Sequence, residues 1–177
     1  FAITEFNFCA PSRLRAEGGL MMGAYAALQD WDALYRFAWS HSRAALSGTH
    51  AVSGFDNVRD PIGQLTERQI VLLFARGDVS PAREVFGYGV TKEESLKGGL
   101  GDMWAKGLFP RAFTELGYTS RIGSYVADGG KAPALDCSKT WTAADRSSIP
   151  KFKGEALSDT KEIFINTGRG DITVNTP

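Results

Sequence analysis

The stretch that decides the fold is residues 1–41, FAITEFNFCAPSRLRAEGGLMMGAYAALQDWDALYRFAWSH. Its first six residues predict a short buried strand, and the polar residues 7–17 predict a loop. From Gly18 onward the apolar side chains recur every three or four positions, which predicts an amphipathic helix that ends near Asp30. The helix is expected to bury one stripe of side chains, namely Leu20, Met21, Ala24, Leu28 and Trp31.

A second strand and helix repeat this order. Residues 34–39 predict an aromatic strand followed by a polar loop. Asp60 and Pro61 predict the start of a helix, because Asp is a good N-cap and Pro is favoured at the first helical position. Gly77 is a suitable C-terminal cap for that helix. Residues 1–77 therefore have the order β-α-β-α, which is typical of parallel strands joined by crossover helices.

The remainder of the chain has weaker patterns. Residues 84–154 are rich in glycine and predict an irregular region with one helix near residues 102–116. Residues 162–165 and 172–174 alternate apolar and polar side chains on either side of Gly168-Arg169-Gly170, which predicts a β-hairpin. The predicted organisation is β-α units over residues 1–83, an irregular linking region over 84–154, and the beginning of a β-rich domain over 155–177.

The composition limits the class of partner. The 177 residues are 43% hydrophobic and 23% charged, as in ordinary globular proteins. Basic and acidic side chains both number 20, so no excess of positive charge favours nucleic acid or an anionic membrane. The longest apolar run, residues 70–75, is far shorter than the roughly 20 residues of a transmembrane helix. Cys9 and Cys137 can form one disulfide at most, and their spacing indicates no metal site.

Glu5 is the most informative candidate for chemistry. It lies at the carboxyl end of an apolar strand, where a carboxylate is costly unless something uses it. In a (β/α)8 barrel the carboxyl ends of the strands line the active site. Trp39 ends the next strand, where its indole ring could stack on a sugar. The alternatives are a satisfied charge for Glu5 and an ordinary core residue for Trp39.

Four segments follow one another along the first 40 residues: residues 3–7 (ITEFN), 17–19 (EGG), 23–32 (GAYAALQDWD) and 37–40 (FAWS). Together they resemble the last two β-α units of a clan A glycoside hydrolase, a retaining enzyme built on a (β/α)8 TIM barrel. The resemblance continues through Asp60-Pro61 and residues 73–79 (LFARGDV), and more weakly to the terminal hairpin. It covers about half of the chain.

The resemblance implies an α/β fold, namely the C-terminal β-α units of a TIM barrel followed by the start of a β-rich domain. It makes Glu5 the nucleophile of a double displacement that cleaves β-glycosidic bonds in an oligosaccharide or polysaccharide. Trp39 would lie under the cleaved sugar. Asn7, Arg13 and His41 are further candidates for contacts with this carbohydrate substrate. The reaction needs no cofactor.

The resemblance assigns only one of the two required carboxyl groups to this chain. In the family the acid/base glutamate follows an asparagine at the end of strand four, and the sequence contains no Asn-Glu pair. We therefore expect a fragment whose intact parent is the active, exported enzyme, and which is inactive alone. The rival interpretation is a non-catalytic carbohydrate-binding or interaction module, in which Glu5 and Trp39 merely bind or pack.

Overall fold

The computed structural model describes residues 1–47, 54–98, 109–127 and 136–177. The protein is a mixed α/β chain of small sheets and helices. It divides into two compact units, Phe1–Ser80 with Val174–Pro177 and Pro81–Thr173. Within the described ranges no helix is long and apolar enough to cross a membrane.

The first unit has the β-α-β-α order expected from the sequence, with one additional short helix in the predicted loop after the second strand. Strands β1 (Ala2–Phe6) and β2 (Ala33–Arg36) pair in parallel, with helix α1 (Gly18–Leu28) between them in the chain. Helices α2 (Arg43–Ser47) and α3 (Pro61–Ile70) follow β2. Two short 3₁₀ helices lie in the loops, at Arg13–Glu17 and Asn57–Arg59. The predicted parallel pairing is confirmed.

Helix α1 buries Ala24 and Leu28 of the predicted stripe but not its other members. Leu20 and Met21 are only half-buried. The buried residues are mostly small: Gly18, Gly19, Gly23, Ala24, Ala26, Ala27 and Leu28. The reason is the close approach of α1 to α3, since a Cβ on Gly19 would lie 2.1 Å from the carbonyl oxygen of Thr66. A helix that lies this close to its neighbour needs small residues rather than a stripe of large ones.

Strand β2 is shorter than residues 34–39. The main-chain N–H of Phe37 still donates to the carbonyl of Phe6 at 3.0 Å. The next two residues pair instead with the chain beyond α2, where Ala38 donates to Phe55 and Trp39 accepts from Val58, both at 3.0 Å. Hydrogen bonds to a loop far along the chain therefore end the strand early.

The predicted limits of the helix after Asp60 are confirmed. The Asp60 side chain accepts from the main-chain N–H of Ile62 at 3.1 Å, as an N-cap does. One wider π-helical turn, Val71–Ala75, extends α3. Gly77 follows with φ +80°, a left-handed conformation that glycine adopts without strain.

The second unit contains regular structure where an irregular region was predicted. Strand β3 (Val85–Val90) lies between β4 (Arg121–Val126) and β5 (Lys139–Trp141), and both pairings are parallel. Helices α4 (Lys92–Gly98) and α5 (Arg111–Glu115) lie between β3 and β4 in the chain. The helix predicted near residues 102–116 is thus confirmed only at Arg111–Glu115, because residues 99–108 lie outside the described ranges.

The core of this unit lies on one face of the β3 sheet. Its buried members are Tyr88, Val90, Phe113, Trp141 and Ile149. Towards the other face, a Cβ on Gly89 would lie 2.8 Å from the ring of Tyr125, the residue paired with it on β4. Glycine therefore serves here as space for an aromatic ring, although in sequence it indicates a loop.

The last part of the chain forms a third sheet. Strands β6 (Glu155–Leu157) and β7 (Ile163–Asn166) are antiparallel, and β8 (Asp171–Val174) lies beside β7. Gly170, with φ +71°, lies in the turn between β7 and β8. The predicted hairpin is therefore present.

Candidate functional site

Glu5 lies in an irregular part of β1. Between Ile3 and Phe6 the pairing with β2 shifts, because β1 advances three residues while β2 advances two. The extra residue makes a β-bulge, and Thr4 and Glu5 are both exposed there. Bulges often redirect a side chain next to an active site. The local geometry thus presents the Glu5 carboxylate to solvent.

The two faces of the β1–β2 sheet differ in what covers them. On β2, the Arg36 Nη1 atom lies 2.7 Å from Oε1 of Glu67 on α3, and its guanidinium lies 5.6 Å from the centre of the Phe6 ring. Arg36 and Phe6 therefore point toward the helix. Because neighbouring side chains of a regular strand point to opposite faces, Tyr35 points away from it. Tyr35 is 59% exposed.

Glu67 on α3 is a carboxyl group with a perturbed pKa, and it contacts the face of the sheet that α3 covers. Burial raises the pKa of Glu67, and the attraction of Arg36 offsets this only in part. A raised pKa is typical of a general acid. The carboxyl group of Glu67 is held in an ion pair with Arg36 on the helix side of the sheet.

Asn7 ties together the loops that follow the two strands. Its amide nitrogen donates to the carbonyl of Phe37 at 2.5 Å and to the carbonyl of Phe55 at 3.0 Å. Asn7 is half-buried. The structure therefore shows Asn7 joining the two loops, and a contact of Asn7 with substrate stays a prediction.

Trp39 and Arg13 are both available to solvent. Trp39 lies three residues beyond the end of β2 and is 56% exposed, which is unlike a core residue. Arg13 is the first residue of a 3₁₀ helix in the loop after β1 and is also exposed. Both side chains are thus accessible on the loops that follow the carboxyl ends of β1 and β2.

His41 is paired with a residue that the sequence analysis did not select. Asp56 Oδ1 accepts from the main-chain N–H of His41 at 2.9 Å and lies 2.5 Å from Nδ1 of the imidazole. The rings of Phe37 and Phe55 pack edge-on against His41. Asp56 lies 15 residues from His41 in the chain, so no short motif reveals the pair.

A largely buried ion pair joins the loop after β1 to the start of α3. Arg15 Nε donates to Asp60 Oδ2 at 2.7 Å, and the two side chains are 17% and 5% exposed. Burial tends to raise the pKa of Asp60, but the hydrogen bonds from Arg15, Gly63 and Ile62 outweigh it, so the pKa is lowered. The loop after β1 is thereby fastened to the start of α3.

Asp60→Asn is expected to lower the stability of α3 at neutral pH by about 1–2 kcal/mol, since asparagine retains the cap but loses the charge opposite Arg15. Because the pKa of Asp60 is lower in the folded state, this stabilisation is present above the usual pKa of 3.8 and is lost as the pH falls through the folded-state value. Hydrogen exchange of α3 amides at neutral and acidic pH measures the difference.

The control is Asp78→Asn, which removes a more exposed partner of Arg76 and is expected to change stability less. If the loss of α3 stability caused by Asp60→Asn stays constant from neutral to strongly acidic pH, the assignment of the ion pair is contradicted.

The described residues include no group of three or more His, Cys, Asp or Glu side chains that could hold a metal ion. Both cysteines are free thiols. No family model, no curated protein and no solved structure matches the chain.

Proposed function

We propose that the chain is the C-terminal part of a retaining glycoside hydrolase of the clan A type. One observation carries the proposal: Glu5 occupies an exposed bulge near the carboxyl end of β1. The neighbouring strand β2 runs parallel to β1, as in the barrel that the resemblance implies.

In this proposal Glu5 is the nucleophile. A carboxylate oxygen of Glu5 attacks the anomeric carbon while the bond to the leaving oxygen breaks and a second carboxylic acid protonates that oxygen. The same second group then removes a proton from water, whose oxygen attacks the anomeric carbon and releases Glu5. Both steps require carboxyl groups about 5–5.5 Å apart. The resemblance assigns the second group to an earlier barrel strand, upstream of β1.

Exposed side chains on the loops that follow β1 and β2 suit a sugar ligand. The Trp39 indole offers an apolar face for the C–H side of a pyranose ring, and Arg13 and His41 offer hydrogen bonds. The substrate is a β-linked oligosaccharide or polysaccharide. The tie from Asn7 to both loops maintains these groups in place.

The second candidate function is a non-catalytic carbohydrate-binding module. The observation that favours it is the exposure of aromatic side chains, since Tyr35, Trp39 and Phe55 are each more than half exposed. Such a module would bind saccharides without forming a bond to Glu5. The two functions therefore differ in covalent chemistry.

The test is to trap the glycosyl-enzyme on the full-length protein that contains this chain. The probes are 2,4-dinitrophenyl 2-deoxy-2-fluoro-β-glycosides of glucose, galactose and xylose, whose leaving group departs with its electron pair and needs no proton. The fluorine slows release of the intermediate. We expect one glycosyl unit on the tryptic peptide that contains Glu5 and ends at Arg13.

Glu5→Gln is the control and is expected to remain unlabelled, because an amide does not attack the anomeric carbon. Saccharide binding without a Glu5 adduct would favour the binding module. Labelling of another carboxylate would overturn the assignment of Glu5 as the nucleophile.

A further inference from the structure

The loop after β2 contains a carboxylate–imidazole pair that the double displacement does not use. Asp56 Oδ1 accepts from the main-chain N–H of His41 at 2.9 Å and contacts the imidazole Nδ1 at 2.5 Å. The Asp56 side chain is only 8% exposed, whereas that of His41 is 45% exposed. A buried carboxylate therefore orients an exposed ring.

This contact determines where the imidazole proton lies. The hydrogen bond from His41 holds the pKa of Asp56 below its usual range, although burial opposes the shift, so Asp56 is ionised at neutral pH. An ionised carboxylate only accepts hydrogen bonds, and Nδ1 must therefore carry a proton. In neutral His41 the other nitrogen, Nε2, is then an acceptor. The group that complements it is a hydroxyl.

Two phenyl rings complete the surroundings of His41. The ring of Phe37 lies 4.9 Å from the imidazole and that of Phe55 lies 6.3 Å from it, between centroids. They are 38% and 52% exposed, and Asn7 donates to the carbonyls of both residues. A pyranose ring presents apolar C–H groups next to hydroxyls, which is the combination that two phenyl rings and one acceptor nitrogen complement.

We propose that Phe37, His41 and Phe55 form a subsite for one pyranose unit, and that Asp56 is the positioning residue that keeps His41 Nε2 available to a sugar hydroxyl. The choice of a β-linked saccharide as ligand rests on the proposed function. Asp56 acts through His41 and does not touch the sugar. The competing explanation is structural: Asp56 stabilises only the loop, through its bond to the His41 main chain.

The first measurement is the tautomer of His41, by ¹⁵N NMR of the full-length protein at about pH 8, where a free imidazole is neutral. His41→Ala identifies the His41 signals in the spectrum of the full-length protein. We expect His41 to carry its proton on Nδ1. A predominantly Nε2-protonated ring in the unsubstituted protein would overturn the proposal without any variant of Asp56.

The second measurement is a double-mutant cycle on saccharide affinity, by calorimetry in the Glu5→Gln background, so that nothing is hydrolysed. The probes are β-1,3- and β-1,4-linked tetrasaccharides of glucose and the β-1,4-linked tetrasaccharides of xylose and galactose. Asp56→Asn and His41→Ala are each expected to raise Kd about tenfold, the effect of one hydrogen bond. The double variant is expected to be no weaker than His41→Ala alone.

Asp78→Asn is the matched control and is expected to leave Kd unchanged, since its partner is Arg76. Equal losses from Asp56→Asn with and without His41 would show a structural role and overturn the proposal. Failure of every tetrasaccharide to bind would overturn it as well.

The two proposals fail separately. Turnover and Glu5 labelling test the enzyme, whereas the tautomer and the cycle test the subsite. If the protein hydrolyses saccharides but its saccharide affinity does not depend on Asp56, only the subsite proposal is contradicted. Affinity that depends on Asp56 and His41, without turnover in the protein that retains Glu5, contradicts only the enzyme.

Discussion

Glu5→Gln in the full-length protein is expected to lower kcat on β-linked oligosaccharides by on the order of 10⁴-fold or more, as removal of a covalent nucleophile does. The amide preserves the shape of the exposed side chain in the β1 bulge but lacks the attacking charge. Substrate affinity is expected to change by less than about threefold, because the stacking and hydrogen-bonding groups remain. Steady-state kinetics for kcat and calorimetry for Kd give the two quantities.

Glu17→Gln is the matched control. Glu17 ends the 3₁₀ helix in the loop that follows β1 and is exposed, but the proposal gives it no role in the reaction. We expect its kcat to equal that of the parent within about twofold. If Glu5→Gln retains parental turnover, Glu5 is not the nucleophile and the enzyme proposal loses its main support.

Trp141→Ala is expected to destabilise the second unit by about 3–5 kcal/mol, the range for removing a buried aromatic side chain. Trp141 is 2% exposed, contacts the rings of Phe86 and Phe113, and donates through Nε1 to Ser148 at 3.1 Å. This loss is a large part of the 5–15 kcal/mol that typically stabilises a domain. Hydrogen exchange of the β3 amides measures it.

Trp39→Ala makes the same chemical change at an exposed position, where 56% of the residue is already in water. We expect it to change the stability of the first unit by no more than about 0.5 kcal/mol. Its effect should appear instead as weaker saccharide binding. Equal destabilisation by the two variants would contradict the placement of Trp141 in the core.

The order of elements in the first unit could be predicted from sequence because its signals are local. The apolar residues from Gly18 onward predict the helix α1, and Asp60 with Pro61 marks the start of α3 within two adjacent residues. Glu5 could be selected because a charge at the end of an apolar strand is unusual. The bulge that exposes Glu5 could not, since it depends on the register between β1 and β2.

The sheet of the second unit could not be predicted, because its glycines have a tertiary reason. Gly87 and Gly89 lie in the central strand of this sheet, where glycine weakens the local strand pattern and Gly89 leaves room for the ring of Tyr125. Likewise, the small residues of α1 are required by the distance to α3, which the sequence does not state.

Sequence by itself determined the alternation of strands and helices up to Gly77, the terminal hairpin and the choice of Glu5, since these depend on neighbours a few residues away. Only the tertiary structure decided that Asp56 holds His41 and that Asn7 joins the loops at Phe37 and Phe55. The physical reason is that a hydrogen bond between residues 15 to 48 positions apart leaves no periodic trace in the chain, and exists only once the backbone has brought its partners within 3 Å.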